Sequence, residues 1–118
     1  MSDIITIGSA TMDVFVECED ANIVSVFTKN SKSEFMSYPY GSKMEISNFA
    51  SNVGGGGVNT ALNLANLGFS TSAICKIGDD IYSKGILEVL ENSTLDLSNI
   101  IQDNSVSTGF SIILPSLS

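Results

Sequence analysis

Four consecutive glycines, Gly54 to Gly57, open directly onto an apolar helical stripe. Glycine loses more conformational freedom on folding than any other residue, so something must require four in a row, and glycines let a backbone approach a ligand closely. Beyond the run, Val58, Ala61, Leu62 and Ala65 recur at i, i+3, i+4 and i+7, while Asn59, Asn63 and Asn66 fall on the opposite side. That pattern predicts a helix over Val58 to Leu67, with Gly68 as its C′ stop. A helix N-terminus presents free N–H groups and the positive end of a dipole, which suits a polar ligand, and Asn59 in the first turn can donate and accept toward one. A flexible turn into an ordinary helix is the competing reading.

Two familiar glycine motifs do not fit. A phosphate-binding P-loop ends in Gly-Lys-Ser/Thr, and here Val58-Asn59 occupies that place. A dinucleotide fingerprint needs three glycines in the frame G-x-G-x-x-G. The frame from Gly54 and Gly56 arrives at Asn59, and the frame from Gly55 and Gly57 arrives at Thr60.

Around the glycines, strand and helix signals alternate. Ile4 to Ile7 reads as a buried strand ending at Gly8, and Met12 to Cys18 as a second strand. Asp20 to Lys43 is polar, serine-rich and irregular, with a turn at Tyr38-Pro39-Tyr40-Gly41. Met44, Ile46 and Phe49 suggest another strand. The stretch from 14 to 52 therefore reads as two or more strands standing apart from the first. Thr71 to Ile77 is a strand ending at Gly78. Asp79 or Asp80 caps a helix running to about Glu91, with Ile86, Leu87 and Leu90 inward, and Asn99 to Gln102 and Thr108 to Leu114 are further strands. This order indicates a layered α/β fold.

Charge and composition exclude several chemistries. The 118 residues carry 13 acidic and 5 basic side chains, a formal net charge of −8, with no histidine and no tryptophan; every basic residue is lysine. Histidine-based triads and histidine-ligated zinc are ruled out within the chain, as is a bidentate arginine clamp on phosphate. So acidic a surface repels nucleic acid and anionic membranes, so neither is an expected partner. The uncharged stretch from Ile46 to Cys75 is interrupted by five asparagines and the glycines, which argues against a membrane span. Cys18 and Cys75 form no motif, which with the missing basic n-region suggests a reduced, cytoplasmic setting. Length allows one domain or part of a larger one.

Two carboxylate loci stand out. In Gly8-Ser9-Ala10-Thr11-Met12-Asp13 a carboxylate follows the first strand by a short loop. Asp13 is either a turn residue or an acceptor of hydroxyl hydrogen bonds at the ligand-binding edge of an α/β sheet. In Gly78-Asp79-Asp80 the favoured reading is a turn and helix cap, and no metal site is expected.

Taken together, Gly54 to Ala61, Gly68, Gly78 and the Gly8–Asp13 segment resemble the N-terminal signature of the ribokinase (PfkB) family of sugar and nucleoside kinases, with Ser107-Thr108-Gly109 in a similar place. The resemblance covers Ile4 to Leu114. It implies the N-terminal portion of a ribokinase-like α/β fold, with a small β lid drawn from residues 14–52. Asp13 would bind acceptor hydroxyls, Gly55, Gly56 and Gly57 would contact the substrate, Gly54 and Gly55 would hinge the lid, and Asn59 would hydrogen-bond a sugar hydroxyl. The implied reaction moves the γ-phosphoryl of ATP, with Mg2+, to a primary alcohol of a sugar or nucleoside. A homodimer paired through the lid strands is a further implied partner. The family's second signature, an Asp-Thr-x-Gly-Ala-Gly-Asp type segment carrying the catalytic base, has no match here, and the nucleotide site lies in that same half. Position 56 is glycine where many ribokinases carry lysine. The expectation is a truncated, acceptor-binding chain that is inactive alone. A non-catalytic binding or dimerisation module reusing the half-fold is the alternative.

Overall fold

The computed structural model describes residues 2–19 and 21–115. The elements in chain order are β1 (Ile4–Ile7), β2 (Thr11–Glu17), β3 (Asn22–Phe27), β4 (Lys32–Ser37), β5 (Asn48–Gly54), α1 (Gly56–Asn66), β6 (Thr71–Ile77), α2 (Ile81–Glu91), β7 (Ile100–Gln102) and β8 (Gly109–Ile113). The fold is α/β. The chain divides into two compact units, one of residues 1–14 and 51–112, the other of residues 15–50 and 113–118. All three crossings fall inside strands, in β2, in β5 and in β8. No helix among the described residues is long and apolar enough to cross a membrane.

The first unit is built on a parallel sheet in the order β1-β6-β7. Ile4 to Ile7 pair with Thr71 to Ile74, and Cys75 to Ile77 pair with Ile100 to Gln102. Parallel neighbours need a crossover, and helices α1 and α2 lie in the crossovers. Their apolar stripes meet one face of β6: Val58 and Ala61 of α1, Ile86 and Leu90 of α2, and Ala73, Cys75 and Ile77 of the strand form the core. Burial of Cys75 raises its thiol above its ordinary pKa and keeps it an unreactive core group. The period-2 alternation of a strand puts the other set of side chains on the opposite face, where Ile5, Ile7 and Ile101 are exposed. Helix α1 ends as its sequence predicts, with Gly68 at φ +93 and its N–H donating to the Ala65 carbonyl.

A second sheet runs in the order β5-β2-β8. Its part in the first unit, residues 11–14, 51–54 and 109–112, leads into the glycine run at one end of β5 and follows the loop after β1.

The second unit corrects two expectations. Residues 20 to 43 were expected to be irregular, yet β3 and β4 form an antiparallel hairpin from Asn22↔Ser37 to Phe27↔Lys32. Its turn is closed by the Thr28 N–H donating to the Ser31 carbonyl and the Ser31 N–H donating to Thr28 Oγ1. Every residue of β3 is exposed, so the segment carries no inside–outside alternation to reveal it. The strand expected around Met44, Ile46 and Phe49 begins instead at Asn48 and continues to Gly54, and residues 42–46 carry no regular element. Ser47 sets the start, its N–H and hydroxyl both donating to the Glu17 carbonyl. Asn48, Ser51 and Asn52 break any regular apolar alternation along β5 and hide it from a hydrophobicity reading. Asp20, part of the expected irregular stretch, lies outside the described residues.

Candidate functional site

The loop after β1, the first residues of β2, the glycine run and strand β8 converge within the first unit. The closest approach is backbone to backbone. A Cβ at Gly57 would lie 2.7 Å from the Gly8 carbonyl carbon, and one at Gly8 would lie 2.7 Å from the Gly57 nitrogen. Thr6 adds a hydrogen bond, its hydroxyl donating to the Gly57 carbonyl at 2.8 Å. Gly55 sits at φ +98, and a Cβ there would meet the Ser9 carbonyl oxygen at 2.4 Å. Three of the four glycines are thus required by the chain's own packing: Gly57 by Gly8, Gly55 by Ser9 and by its positive φ, and Gly54 by Asp13. Gly56 is different, because nothing lies within 4 Å of where its Cβ would be.

Two of the N–H groups that the sequence suggests are open at the start of helix α1 are already engaged, while the Gly57 N–H has no acceptor among the described residues. Gly55 at the N-cap has no side chain to cap with, and Ser9 supplies the cap from across the chain. The Gly56 N–H donates to Ser9 Oγ at 3.2 Å and the Val58 N–H donates to the Ser9 carbonyl at 3.2 Å. Asn59 follows with an exposed side chain on the first turn.

Asp13 is half-buried on β2 and held from two sides. Its Oδ1 accepts the Ser111 hydroxyl of β8 at 2.6 Å and the Thr11 hydroxyl at 3.2 Å. Its Oδ2 lies against the bare Cα of Gly54, where a Cβ would come within 2.0 Å of that oxygen. Among the described residues, the hydrogen bonds to Asp13 all fall on Oδ1. Gly109, the first residue of β8, completes the packing: a Cβ there would meet the Thr11 methyl at 2.8 Å.

The second carboxylate locus is closed. Asp80 is the N-cap of α2, with Oδ1 accepting from the Tyr82 and Ser83 N–H groups at 3.1 and 2.9 Å. Its Oδ2 accepts from the Thr108 N–H at 2.8 Å. The Ser83 hydroxyl and the Asp80 backbone complete a capping box. The Thr108 backbone hydrogen bond first, then that of Ser83, holds the Asp80 carboxyl below its ordinary value. Thr108 also accepts the Gly78 N–H at 2.9 Å, and a Cβ at Gly78 would meet the Val106 carbonyl at 2.4 Å. The neighbouring Asp79 is exposed, and among the described residues no group of three His, Cys, Asp or Glu side chains could hold a metal ion.

The structure therefore brings Asp13, Gly54, Gly55 and Gly57 together, and leaves Gly56 and Asn59 exposed at the start of α1. Ser9, Thr11 and Ser111 were missed from the sequence. For Ser111 the available signal was alternation: it stands two residues beyond Gly109, on the same face of β8.

Comparison with known proteins decides what this arrangement belongs to. Residues 1–116 match the pfkB family carbohydrate kinase profile.

The chain belongs to the PfkB family of carbohydrate kinases. Among curated PfkB-type relatives, it is 37% identical over 57 residues to a 5-dehydro-2-deoxygluconokinase of Geobacillus thermodenitrificans, covering 48% of this chain and 17% of that protein. It is 33% identical over 72 residues to a 2-dehydro-3-deoxygluconokinase of Bacillus subtilis, covering 61% of this chain and 22% of the other. Among solved structures, Arabidopsis thaliana ribokinase complexed with ribose and ATP superposes with a TM-score of 0.74 over 96% of this chain and 32% of that one, at 23% identity. The chain thus spans about a fifth of the curated PfkB relatives and a third of the solved structure that it matches. The ribokinase-like fold follows from that likeness.

Proposed function

We propose that this PfkB chain forms the acceptor-binding portion of a sugar kinase, in which the γ-phosphoryl of ATP passes to a primary alcohol. The observation that carries the reading is Asp13. A carboxylate fixed through one oxygen, with the other left without a described donor beside a glycine that cannot be enlarged, is suited to accept hydroxyl hydrogen bonds from a polyol. A sugar acceptor, in preference to a nucleoside, is supported by the curated relatives, which are named as deoxygluconokinases. Gly56 and Asn59 have open space around them and are the groups of α1 available to a bound sugar, with the Asn59 amide donating to and accepting from its hydroxyls. Residues 14–52 serve as the lid, with Gly54 and Gly55 as its hinge. The positive φ of Gly55 is a conformation a larger residue would resist.

Phosphoryl transfer rests on positioning and on electrostatic stabilisation of the moving group. ATP is supported by the ribokinase likeness, and bound ATP would supply the phosphoryl group. This chain contributes the positioning of the acceptor. It has no arginine or histidine to meet developing charge, and no metal-holding cluster of side chains among its described residues. Asp13 holds hydroxyls away from the reacting one, and the base that takes the proton of the reacting alcohol belongs elsewhere in a complete kinase. The 118-residue chain alone does not transfer phosphate.

The test is titration calorimetry with 2-dehydro-3-deoxy-D-gluconate, 5-dehydro-2-deoxy-D-gluconate and D-ribose, beside a coupled assay with ATP and Mg2+. Hydrogen bonds to a charged group contribute about 1.5–3 kcal/mol each, so Asp13→Ala is expected to weaken the best-bound sugar at least ~tenfold. Unchanged affinity sinks the assignment. Turnover by the chain that disappears in Asp13→Ala contradicts its inactivity.

A further inference from the structure

We propose that Ser111 is a positioning residue for the acceptor site: it holds the Asp13 carboxylate in the orientation that presents Oδ2 to a sugar. The inference rests on the reading of Asp13 as the acceptor contact.

Asp13 stands near the start of β2, and on that strand its side chain is free to take several rotamers. Three contacts remove that freedom. Gly54 offers Oδ2 a place against bare backbone and would expel it if it carried a side chain. Thr11, two residues back on the same strand and the same face, donates to Oδ1 at 3.2 Å. Ser111 donates to the same oxygen at 2.6 Å from 98 residues away. The Ser111 distance is that of a hydroxyl hydrogen-bonded to an ionised carboxylate, and the Thr11 distance is long for one. Ser111 is thus the stronger of the two restraints.

Its placement is also the more informative. Thr11 moves with β2, so its bond cannot tie Asp13 to anything else. Ser111 belongs to β8, and its bond fixes the carboxylate relative to a different strand. The position is set by packing: Gly109 lets the Thr11 methyl sit against the start of β8, and the period-2 alternation brings Ser111 to the same face two residues later. With both donors on Oδ1, the bonding capacity of Oδ2 is conserved for a ligand. A hydroxyl at 111 recruits one carboxylate oxygen and leaves the other available.

Removing the Ser111 hydroxyl leaves Thr11 and Gly54 in place, so the carboxylate persists but samples other orientations. The expected loss in Ser111→Ala is about tenfold in sugar affinity, the lower end for one hydrogen bond to a charged group. Ser111→Thr keeps a hydroxyl on a residue that strands accept well, and restores affinity to within about threefold.

Two readouts on the 118-residue chain test this. The first needs no ligand: the Asp13 carboxyl carbon resonance in the NMR spectrum is expected to shift in Ser111→Ala and to return toward the wild-type position in Ser111→Thr. The second is calorimetry with the same three sugars on wild type, Ser111→Ala, Ser111→Thr and Asp13→Ala. A shifted resonance with a tenfold loss rescued by threonine supports the proposal. An unshifted resonance, or a Ser111→Ala chain that binds as wild type while Asp13→Ala does not, overturns it. If Asp13→Ala also binds as wild type, the acceptor reading of Asp13 is what has failed, and with it this use of Ser111.

Discussion

Asp13 and Asp80 are two carboxylates in similar settings with opposite degrees of satisfaction. Each follows a glycine-containing loop after a parallel strand, each lies against a glycine that tolerates no Cβ, and each takes a hydrogen bond from a residue of the 108–111 segment. Asp80 uses both oxygens: two helix N–H groups on Oδ1 and the Thr108 N–H on Oδ2. Asp13 uses one. A carboxylate has about four lone-pair sites, and the count of those already filled separates a structural acid from one kept for a ligand. Proximity to glycine does not separate them, since both have it.

The sharpest way to break the comparison is to enlarge the two glycines. Gly54→Val places side-chain atoms where Asp13 Oδ2 now lies, so the carboxylate must turn away; loss of two hydroxyl contacts to a charged group corresponds to about 100-fold in sugar affinity. Gly78→Ala meets the Val106 carbonyl and the Thr108 N–H. It is expected to lower stability by about 1–3 kcal/mol in urea unfolding, with sugar affinity of the folded chain retained. If Gly78→Ala weakens the sugar as much as Gly54→Val, the two loci are not functionally distinct.

A smaller effect separates neighbours inside the glycine run. Gly55→Ala forces φ +98 on an L residue and drives its Cβ onto the Ser9 carbonyl, at a cost of about 1–3 kcal/mol. Gly56→Ala has open space and no positive φ, and gains about 0.5 kcal/mol from reduced unfolded-state entropy. Thermal unfolding of the two variants is the check, and equal behaviour would contradict the split drawn within the run.

Acid titration probes the Asp80 locus with a smaller effect. The folded Asp80 carboxyl is held below its ordinary value of 3.8 by backbone N–H groups. Such a depressed group contributes stability that is present above the unfolded value and is lost as pH falls through the folded one. Wild type is therefore expected to lose stability relative to Asp80→Ala only below about pH 4, through this linkage, while the two run parallel near neutrality. Asp103, held well below the usual range chiefly by Lys76, titrates in the same direction and is present in both chains, so the difference between them isolates Asp80.

Much of the first unit was legible in the sequence because its signals are those of buried parallel strands and amphipathic helices. The bounds of Ile4–Ile7 and Thr71–Ile77 were read to the residue, although β1, expected to be buried, leaves Ile5 and Ile7 exposed on the face away from the helices, and α2 was read with Asp80 as one of two named caps. The hairpin of β3 and β4 was not, because a pair of strands exposed along nearly all its length shows neither period. At the site, the glycine run and Asp13 were found by their composition. What the run packs against was not, since Gly8, Ser9 and Ser111 touch it or Asp13 only through contacts distant in sequence. No local pattern encodes that Ser9 caps a helix 47 residues ahead.

The most direct measurement is a crossed pair: sugar affinity by calorimetry and thermal midpoint by circular dichroism, both on Asp13→Ala and on Asp80→Ala. The expected result is reciprocal. Asp13→Ala loses affinity at least ~tenfold with its midpoint little moved, and Asp80→Ala loses midpoint with its affinity kept. An Asp13→Ala chain that unfolds early yet binds sugar as wild type would make Asp13 the structural acid and contradict its assignment as the acceptor contact.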